Sequence, residues 1–140
     1  MSFLLDYVKN NGLNEKVIFT GYLPKDKMYE LLSKASVLVL PSLTRLDSFG
    51  IVLLEASSFA IPVIASDIIP GAKELIERSN NGILVPPNDS IKLSEAIQQI
   101  ADNPRTYGIR GREYVIKHHD WKIVTLAAQQ ILKESFEDSN

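Results

Sequence analysis

The segment that decides the fold reads VLVLPSLTRLDSFGIVLLEASSFAIPVIAS over residues 37–66. It begins with a continuous apolar run at residues 37–40, which Pro41 ends, and this is typical of a strand covered on both faces. A helical stretch follows at about residues 49–59, and residues 62–65 form a second apolar, β-branched run. A strand, a helix and a second buried strand in this order predict a parallel sheet with a helix packed against it.

The same alternation continues on both sides of this segment. We predict further strands at residues 16–20, closed by Gly21, and at residues 82–85. Helices are predicted at residues 3–9, 25–34 and 72–77. A further helix begins after a cap at Asp89 or Ser90, and from Pro104 onward the chain is predicted to be helical with a break near residues 119–120. The predicted fold is α/β, a Rossmann-like parallel sheet with helices on both faces. We divide a single domain of residues 1–140 into an opening helix (1–15), an α/β core (16–102) and C-terminal helices (103–140).

Composition excludes several classes of function. The 140 residues are 45% apolar and 23% charged, as in an ordinary soluble globule. The chain has 15 basic and 17 acidic residues. Because there is no overall basic excess, the composition does not predict a nucleic-acid partner. The chain has no cysteine, which excludes disulfides, thiolate metal sites and a cysteine nucleophile. Apolar runs are too short to span a membrane and Asp6 interrupts any signal-like start, so we predict a cytoplasmic location, with attachment to the inner membrane surface through a partner left open.

Glu55 is the most unusual side chain of the central segment. A helical wheel places it among Ile51, Val52 and Phe59, and not on a solvated face. Burying a carboxylate without a partner is unfavourable, and a ligand that offers hydroxyl groups would supply one. The alternative is that Glu55 pairs with a backbone amide or a nearby cation of the protein.

The start of the same helix is a candidate anion site. Ser48, Phe49 and Gly50 place free N–H groups at a positive helix end, where glycine allows a phosphate to approach. Asp47 and Glu55 are separated by a helical rise of about 12 Å, so they cannot act on one atom. They could bind the two ends of a long ligand that has a diphosphate in its middle, such as a nucleotide-sugar. The alternative for Asp47 is that its side chain caps the helix.

Residues 41–67 resemble the donor-binding motif of retaining GT-B glycosyltransferases of the group one, or family four, class. The motif runs from Pro-Ser through Phe-Gly and Glu-Ala to Pro-Val-Ile-Ala. The resemblance extends over about residues 12–135, through VIFTGYLP at 17–24, NGILVPPND at 81–89 and HDW at 119–121. It implies the C-terminal, donor-binding domain of such an enzyme, which would transfer a sugar to a glycan, a lipid or a small acceptor.

The resemblance also implies residue roles. Glu55 would bind the ribose hydroxyls, and Asp47, one methylene shorter than the family's glutamate, would contact the donor sugar; these two are the implied catalytic residues. The implied donor-binding residues are Ser48, Phe49, Gly50 and Ile51 at the helix start, with Gly21 and Tyr22 near the base. No metal and no cofactor is implied besides the nucleotide-sugar substrate.

Residues 1–15 lack the family's phosphate-binding Arg and Lys, so the resemblance implies an N-terminally truncated domain. Its partners would be an acceptor domain or another chain, and on its own we expect it to be inactive. The first strand would pair directly with the second, accept strands from another chain, or swap in a homodimer. The apolar stripe of the last helix would either contact a partner or pack on the domain's own sheet. The alternative function is a non-catalytic binding or dimerisation module.

Overall fold

The computed structural model describes residues 2–45 and 50–137 and confirms the α/β architecture. Three strands form the sheet: β1 (Leu38–Leu40), β2 (Val63–Ser66) and β3 (Gly82–Val85). All are parallel and lie in the order β1-β2-β3, with Leu38 opposite Val63 and Ile64 opposite Ile83. The central strand is therefore β2, and each of its residues is buried.

Seven helices surround this sheet in the described part of the chain. They are α1 (Ser2–Asn10), α2 (Lys25–Ser33), α3 (Ile51–Ser58), α4 (Pro70–Ser79), α5 (Ser90–Asp102), α6 (Pro104–His118) and α7 (Trp121–Glu137). The predicted cap of α5 is confirmed, since a carboxylate oxygen of Asp89 accepts a 2.8 Å hydrogen bond from the amide of Lys92.

Alternation along β2 explains why helices cover both faces of the sheet. Val63 and Ala65 belong to one buried cluster, which includes Leu53 of α3 and Leu75 of α4. Ile64 points to the opposite face and packs with residues of α5, namely Ala96 and Ile100. Because successive strand residues point to opposite faces, β2 holds two separate helical layers together.

The strand predicted at residues 16–20 is wrong. These residues are irregular and exposed, with Val17 at 37% and Ile18 at 84% accessibility. The amides of Lys16 and Val17 both donate to the carbonyl of Leu13, so the start of this segment is a turn that continues from α1. Direct pairing of this segment with β1 is therefore also wrong. A run with strand-like composition does not become a strand without a neighbour to pair with.

Helix α6 lies close to the amino ends of the strands. A Cβ atom on Gly108 would lie 1.9 Å from the carbonyl oxygen of Ala60, just before β2. A Cβ on Gly111 would lie 2.8 Å from the side-chain nitrogen of Asn81, just before β3. The two glycines are one helical turn apart, and they let the helix backbone approach this edge of the sheet.

Helix α7 does not pack on the sheet, so that alternative for its apolar stripe is wrong. Trp121 is 81% exposed and Ile131 is 66% exposed. Among the elements described, the helix has its main contacts with α6. Trp121 and Ile131 of the stripe are exposed, and contact of the stripe with a partner stays a prediction.

Candidate functional site

The carboxyl ends of the three strands form one edge of the sheet, where ligands of open parallel sheets bind. An open pocket of about 220 Å³ lies there. Its lining comes from the segment after β1, the last residues of β2 and β3, the turn after β3 and the start of α5: Pro41, Leu43, Ser66, Val85, Pro86, Asn88, Asp89, Ser90 and Leu93. Pro41, Leu43 and Ser66 fall within the motif at residues 41–67, but none of these nine residues was predicted as a site residue. The polar, turn-forming sequence of residues 86–90 directly after a strand was the signal that could have identified them.

Gly50 sets the geometry at the start of α3. It has φ +68° and ψ 52°, the left-handed conformation that glycine adopts without strain. A Cβ atom here would lie 3.0 Å from Leu53 Cδ1 and 3.4 Å from Leu40 Cδ2. The glycine therefore lets the chain turn from the end of β1 into the helix. The first-turn amides of a helix lack partners within the helix, which is why a helix start can bind an anion.

Glu55 lies on α3 and is half-buried, although Ile51 and Phe59, two of its neighbours on the helix, are exposed. Its Oε1 accepts a 3.0 Å hydrogen bond from the hydroxyl of Tyr29 on α2. Within residues 2–45 and 50–137, the hydrogen-bond partner of its side chain is thus a hydroxyl group and not a backbone amide, and the cation Lys25 acts on it only through charge. A carboxylate oxygen has more than one acceptor position, so this contact leaves Glu55 able to accept a further hydroxyl.

Tyr29 is itself held between two neighbours. Its ring centroid lies 5.7 Å from that of Phe59, and Lys25 Nζ lies 5.4 Å from the centroid of the Tyr29 ring. The pKa of Lys25 is raised, first by its interaction with Tyr29 and to a smaller degree by the charge of Glu55. A cation, an aromatic hydroxyl and a carboxylate therefore form one connected cluster between α2 and α3.

The remaining candidates are not all brought to this cluster. Gly21 has φ +58° in the irregular segment before α2, and the side chain of Tyr22 is 94% exposed. Ile51 begins α3 with its side chain 66% exposed. Asp47, Ser48 and Phe49 lie outside the described residues. Arg45, the nearest cation to the helix start in the sequence, is exposed in a turn.

Within residues 2–45 and 50–137, no group of three or more His, Asp or Glu side chains is arranged to hold a metal ion. His118 and His119 instead stack on Tyr114, with centroids 4.5 and 5.7 Å away. No helix in this part of the chain is long and apolar enough to cross a membrane.

The chain is similar to proteins that transfer sugars or assemble polysaccharides. It is 37% identical over 116 residues to an exopolysaccharide phosphotransferase of Streptomyces coelicolor, covering 81% of this chain and 12% of that protein. It is 37% identical over 107 residues to the O-antigen chain mannosyltransferase C of Escherichia coli, covering 74% of this chain and 29% of the relative.

Solved structures show the same fold. Sucrose-phosphate synthase from Thermosynechococcus elongatus superimposes with a TM-score of 0.81 at 33% identity, over 96% of this chain and 34% of that protein. Anabaena HepE in complex with UDP-glucose gives a TM-score of 0.75 at 27% identity, over 96% of this chain and 36% of HepE. The neighbours share the Rossmann-like layers of the GT-B fold.

The chain spans well under half the length of each of these proteins. The profile of the family described as "Glycosyl transferases group 1" matches residues 2–120, which is most of the chain. This chain therefore belongs to the group 1 glycosyltransferases and corresponds to a C-terminal domain fragment of a GT-B enzyme.

Proposed function

We propose that this chain is the part of a retaining glycosyltransferase that binds the nucleotide-diphospho-sugar donor. The observation that carries the proposal is the half-buried Glu55, which Tyr29 holds on the helix that begins at the left-handed Gly50. The complex of HepE with UDP-glucose, a structure similar to this chain, supports a donor of this class.

Glu55 would bind the ribose of the nucleotide. Ribose offers two neighbouring hydroxyl donors, and an ionised carboxylate is an acceptor only. Hydrogen bonds to a charged group are stronger than those between neutral groups, and partial exclusion of water strengthens them further. The hydroxyl of Tyr29 fixes one carboxylate oxygen, so the carboxylate is oriented before the ligand arrives.

The start of α3 would face the diphosphate. When the bond between the sugar and the diphosphate breaks, negative charge grows on the leaving phosphate oxygen, and oriented N–H groups stabilise that charge. Gly50 and Ile51 belong to this helix end, and we assign the same region to Ser48 and Phe49. Asp47 would contact the sugar, and Gly21 with Tyr22 would lie toward the base. The residues that deliver the acceptor would come from another domain or another chain.

The similarity to an exopolysaccharide phosphotransferase and to an O-antigen mannosyltransferase favours a role in building polysaccharides of the cell surface. We therefore propose a glycan, or a glycan carried on a lipid, as the acceptor. The three-part division of residues 1–140 remains our proposal for the domain.

Titration calorimetry with UDP-glucose and GDP-mannose tests donor binding. We expect one of them to bind, and Glu55→Gln to weaken binding roughly ten- to one-hundred-fold, because a hydrogen bond to a charged group contributes about 1.5–3 kcal/mol. Glu77→Gln is the matched control, since Glu77 is an exposed glutamate of α4 that pairs with Lys73. Absence of binding by either donor, or equal binding by Glu55→Gln and the parent, would contradict the proposal.

A second candidate is a module that works by association. The outer edge of β1 pairs with no other strand among residues 2–45 and 50–137. Phe19 is 37% exposed, and Leu126 of α7 is 65% exposed. Open strand edges and apolar helix faces are places where a second copy or a partner domain attaches. Sedimentation analysis that finds a dimer, together with absent donor binding, would favour this candidate over the donor site.

A further inference from the structure

Helix α6 presents a basic outer face. The inner face of this helix is fixed by Gly108 and Gly111 against Ala60 and Asn81. Ile109 and Ile116 lie on the outer side of the helix, with Arg105 at the edge of that side, and all three are exposed. Arg110 and Lys117, seven residues apart, flank the same side and are also exposed.

The charge of this helix differs in sign from that of the chain. Helix α6 has four basic side chains and one acidic side chain, Glu113, which gives a formal charge of +3 with histidine neutral. The whole chain has a net charge of −2. The positive charge is thus concentrated on one helix, a pattern that overall composition conceals.

Pairing within the fold does not account for these cations. Within residues 2–45 and 50–137, Arg105, Arg110 and Lys117 form no salt bridge, whereas five other basic side chains do: Lys27, Lys34, Lys73, Arg78 and Lys92. Arg112 differs, since its guanidinium donates a 2.6 Å hydrogen bond to the carbonyl of Ser58 and ties α6 to α3. Arg105 lies in the first turn of α6, where the helix dipole disfavours a cation.

A shallow groove of about 320 Å³ lies beside this face, between the last turns of α4 and α6. It is lined by Arg78, Ser79, Arg110, Glu113, Tyr114, Lys117 and His118. Arg78, Arg110 and Lys117 are cations, but Arg78 pairs with Glu74, and Glu113 is an acid. The groove is therefore open and carries a small excess of positive charge.

We propose that the outer face of α6 docks on the surface of an anionic lipid bilayer. Clustered Lys and Arg side chains attract anionic headgroups, and each contributes to binding near the surface. Ile109 is 42% exposed and Ile116 is 55% exposed. On the helical wheel they lie between Arg105 and the pair Arg110 and Lys117, as does the exposed acid Glu113. Apolar side chains of an interfacial helix enter the boundary of the acyl chains. This combination favours a bilayer over a nucleic acid, which would engage the cations and leave both isoleucines in water.

The location of the docking face separates it from the donor site. The first half of α6, at Gly108 and Gly111, lies at the amino ends of β2 and β3, while Gly50 and the open pocket lie at the carboxyl ends. Docking through the outer face of α6 therefore leaves the open pocket free. The inference does not depend on the proposed function, and either can fail alone.

Vesicle co-sedimentation of the full chain tests the inference. We expect binding to vesicles of phosphatidylcholine mixed with phosphatidylglycerol and little binding to phosphatidylcholine alone, with the affinity falling as salt is added. Arg110→Glu combined with Lys117→Glu should weaken binding at least tenfold. Lys9→Glu combined with Lys16→Glu is the matched control, because both lysines are exposed and the double change alters the net charge equally.

The isoleucines distinguish a bilayer from other polyanions. Ile116→Ser should weaken vesicle binding severalfold, whereas Ile91→Ser on α5, which is 70% exposed, should not. Circular dichroism of each variant confirms that it is folded. Equal binding by the charge-reversed pair and its control would overturn the inference. So would binding of polyuridylate as tight as that of vesicles, combined with no effect of Ile116→Ser.

Discussion

The hydroxyl of Tyr29 lies 3.0 Å from Oε1 of Glu55 and links α2 to α3. The two residues are 26 positions apart in the sequence, and the strand β1 lies between them in the chain. The sequence shows Glu55 only as an unusual carboxylate among apolar residues. In the structure a tyrosine on another helix fixes the orientation of this carboxylate.

Removing this hydroxyl should weaken donor binding without preventing it. In Tyr29→Phe the ring can still pack on Phe59, but Glu55 loses the group that orients it. We expect donor affinity to fall by less than about tenfold, and the free energy of unfolding to fall by about 0.5–1.5 kcal/mol. Calorimetry and urea unfolding measure the two effects.

Tyr107→Phe is the control for that change. The hydroxyl of Tyr107 accepts a 3.2 Å hydrogen bond from Gln99 on the other side of the sheet. The variant Tyr107→Phe should leave donor affinity unchanged. An equal loss of affinity in both variants would show that Tyr29 does not act by orienting Glu55.

Gly50→Ala should destabilise the start of α3. The left-handed conformation disfavours a residue with a Cβ by about 1–2 kcal/mol, and the new methyl would also press on Leu53 and Leu40. Gly12→Ala is the matched control, since Gly12 has φ +65° but no atom lies within 4 Å of its Cβ position. Urea unfolding should therefore show a larger loss at Gly50, and equal losses would contradict this packing.

Gly108→Ala should be strongly destabilising, although alanine is the better helix former by about 1 kcal/mol. The added Cβ would meet the backbone carbonyl of Ala60, which cannot move without shifting the entry to β2. We expect a loss of at least about 3 kcal/mol, at or above the usual range for overpacking. Gly111→Ala should be milder because its Cβ meets the side chain of Asn81. Thermal unfolding of both variants checks this order.

Acidification should destabilise the junction of α6 and α7. Burial lowers the pKa of His119, the charge of His118 lowers it further, and Glu74, beside it in a pocket of about 80 Å³, opposes the shift. The unfolded chain therefore binds more protons near pH 6.5, so stability should fall as the pH drops through 6.5 toward the lower pKa of the folded state.

Melting temperatures measured between pH 5 and pH 7.5 test this dependence. His119→Gln should flatten the slope over that interval, because it removes the titrating group. His118→Gln should leave most of the slope, since burial is the larger cause of the shift at His119. A parent melting temperature that does not change across this interval would contradict the prediction.

Local patterns predicted most of the regular elements. Residues 62–65 and 82–85 are apolar and β-branched and are bounded by Pro and Gly, and both segments form strands. The cap at Asp89 follows from its side chain alone, since an acceptor there satisfies a free amide of the first helical turn. These features depend on neighbours in the sequence, so the sequence was enough to predict them.

The run at residues 16–20 shows where such patterns fail. Its composition favours a strand, but a strand exists only when another strand lies beside it. The first amides of this run instead donate hydrogen bonds to the carbonyl of Leu13. The partner of Glu55 could not be predicted from the sequence either, because the contact with Tyr29 depends on how α2 and α3 pack.

By itself the sequence determined the alternation of strands and helices, a glycine at the start of α3, and a carboxylate on the largely apolar helix that follows it. These follow from local backbone preferences and from the spacing of apolar side chains. Only the tertiary structure decided the order of the strands, the hydroxyl that orients Glu55, and the isolation of the basic face on α6. Each of these depends on distances between residues far apart in the chain, and packing alone sets such distances.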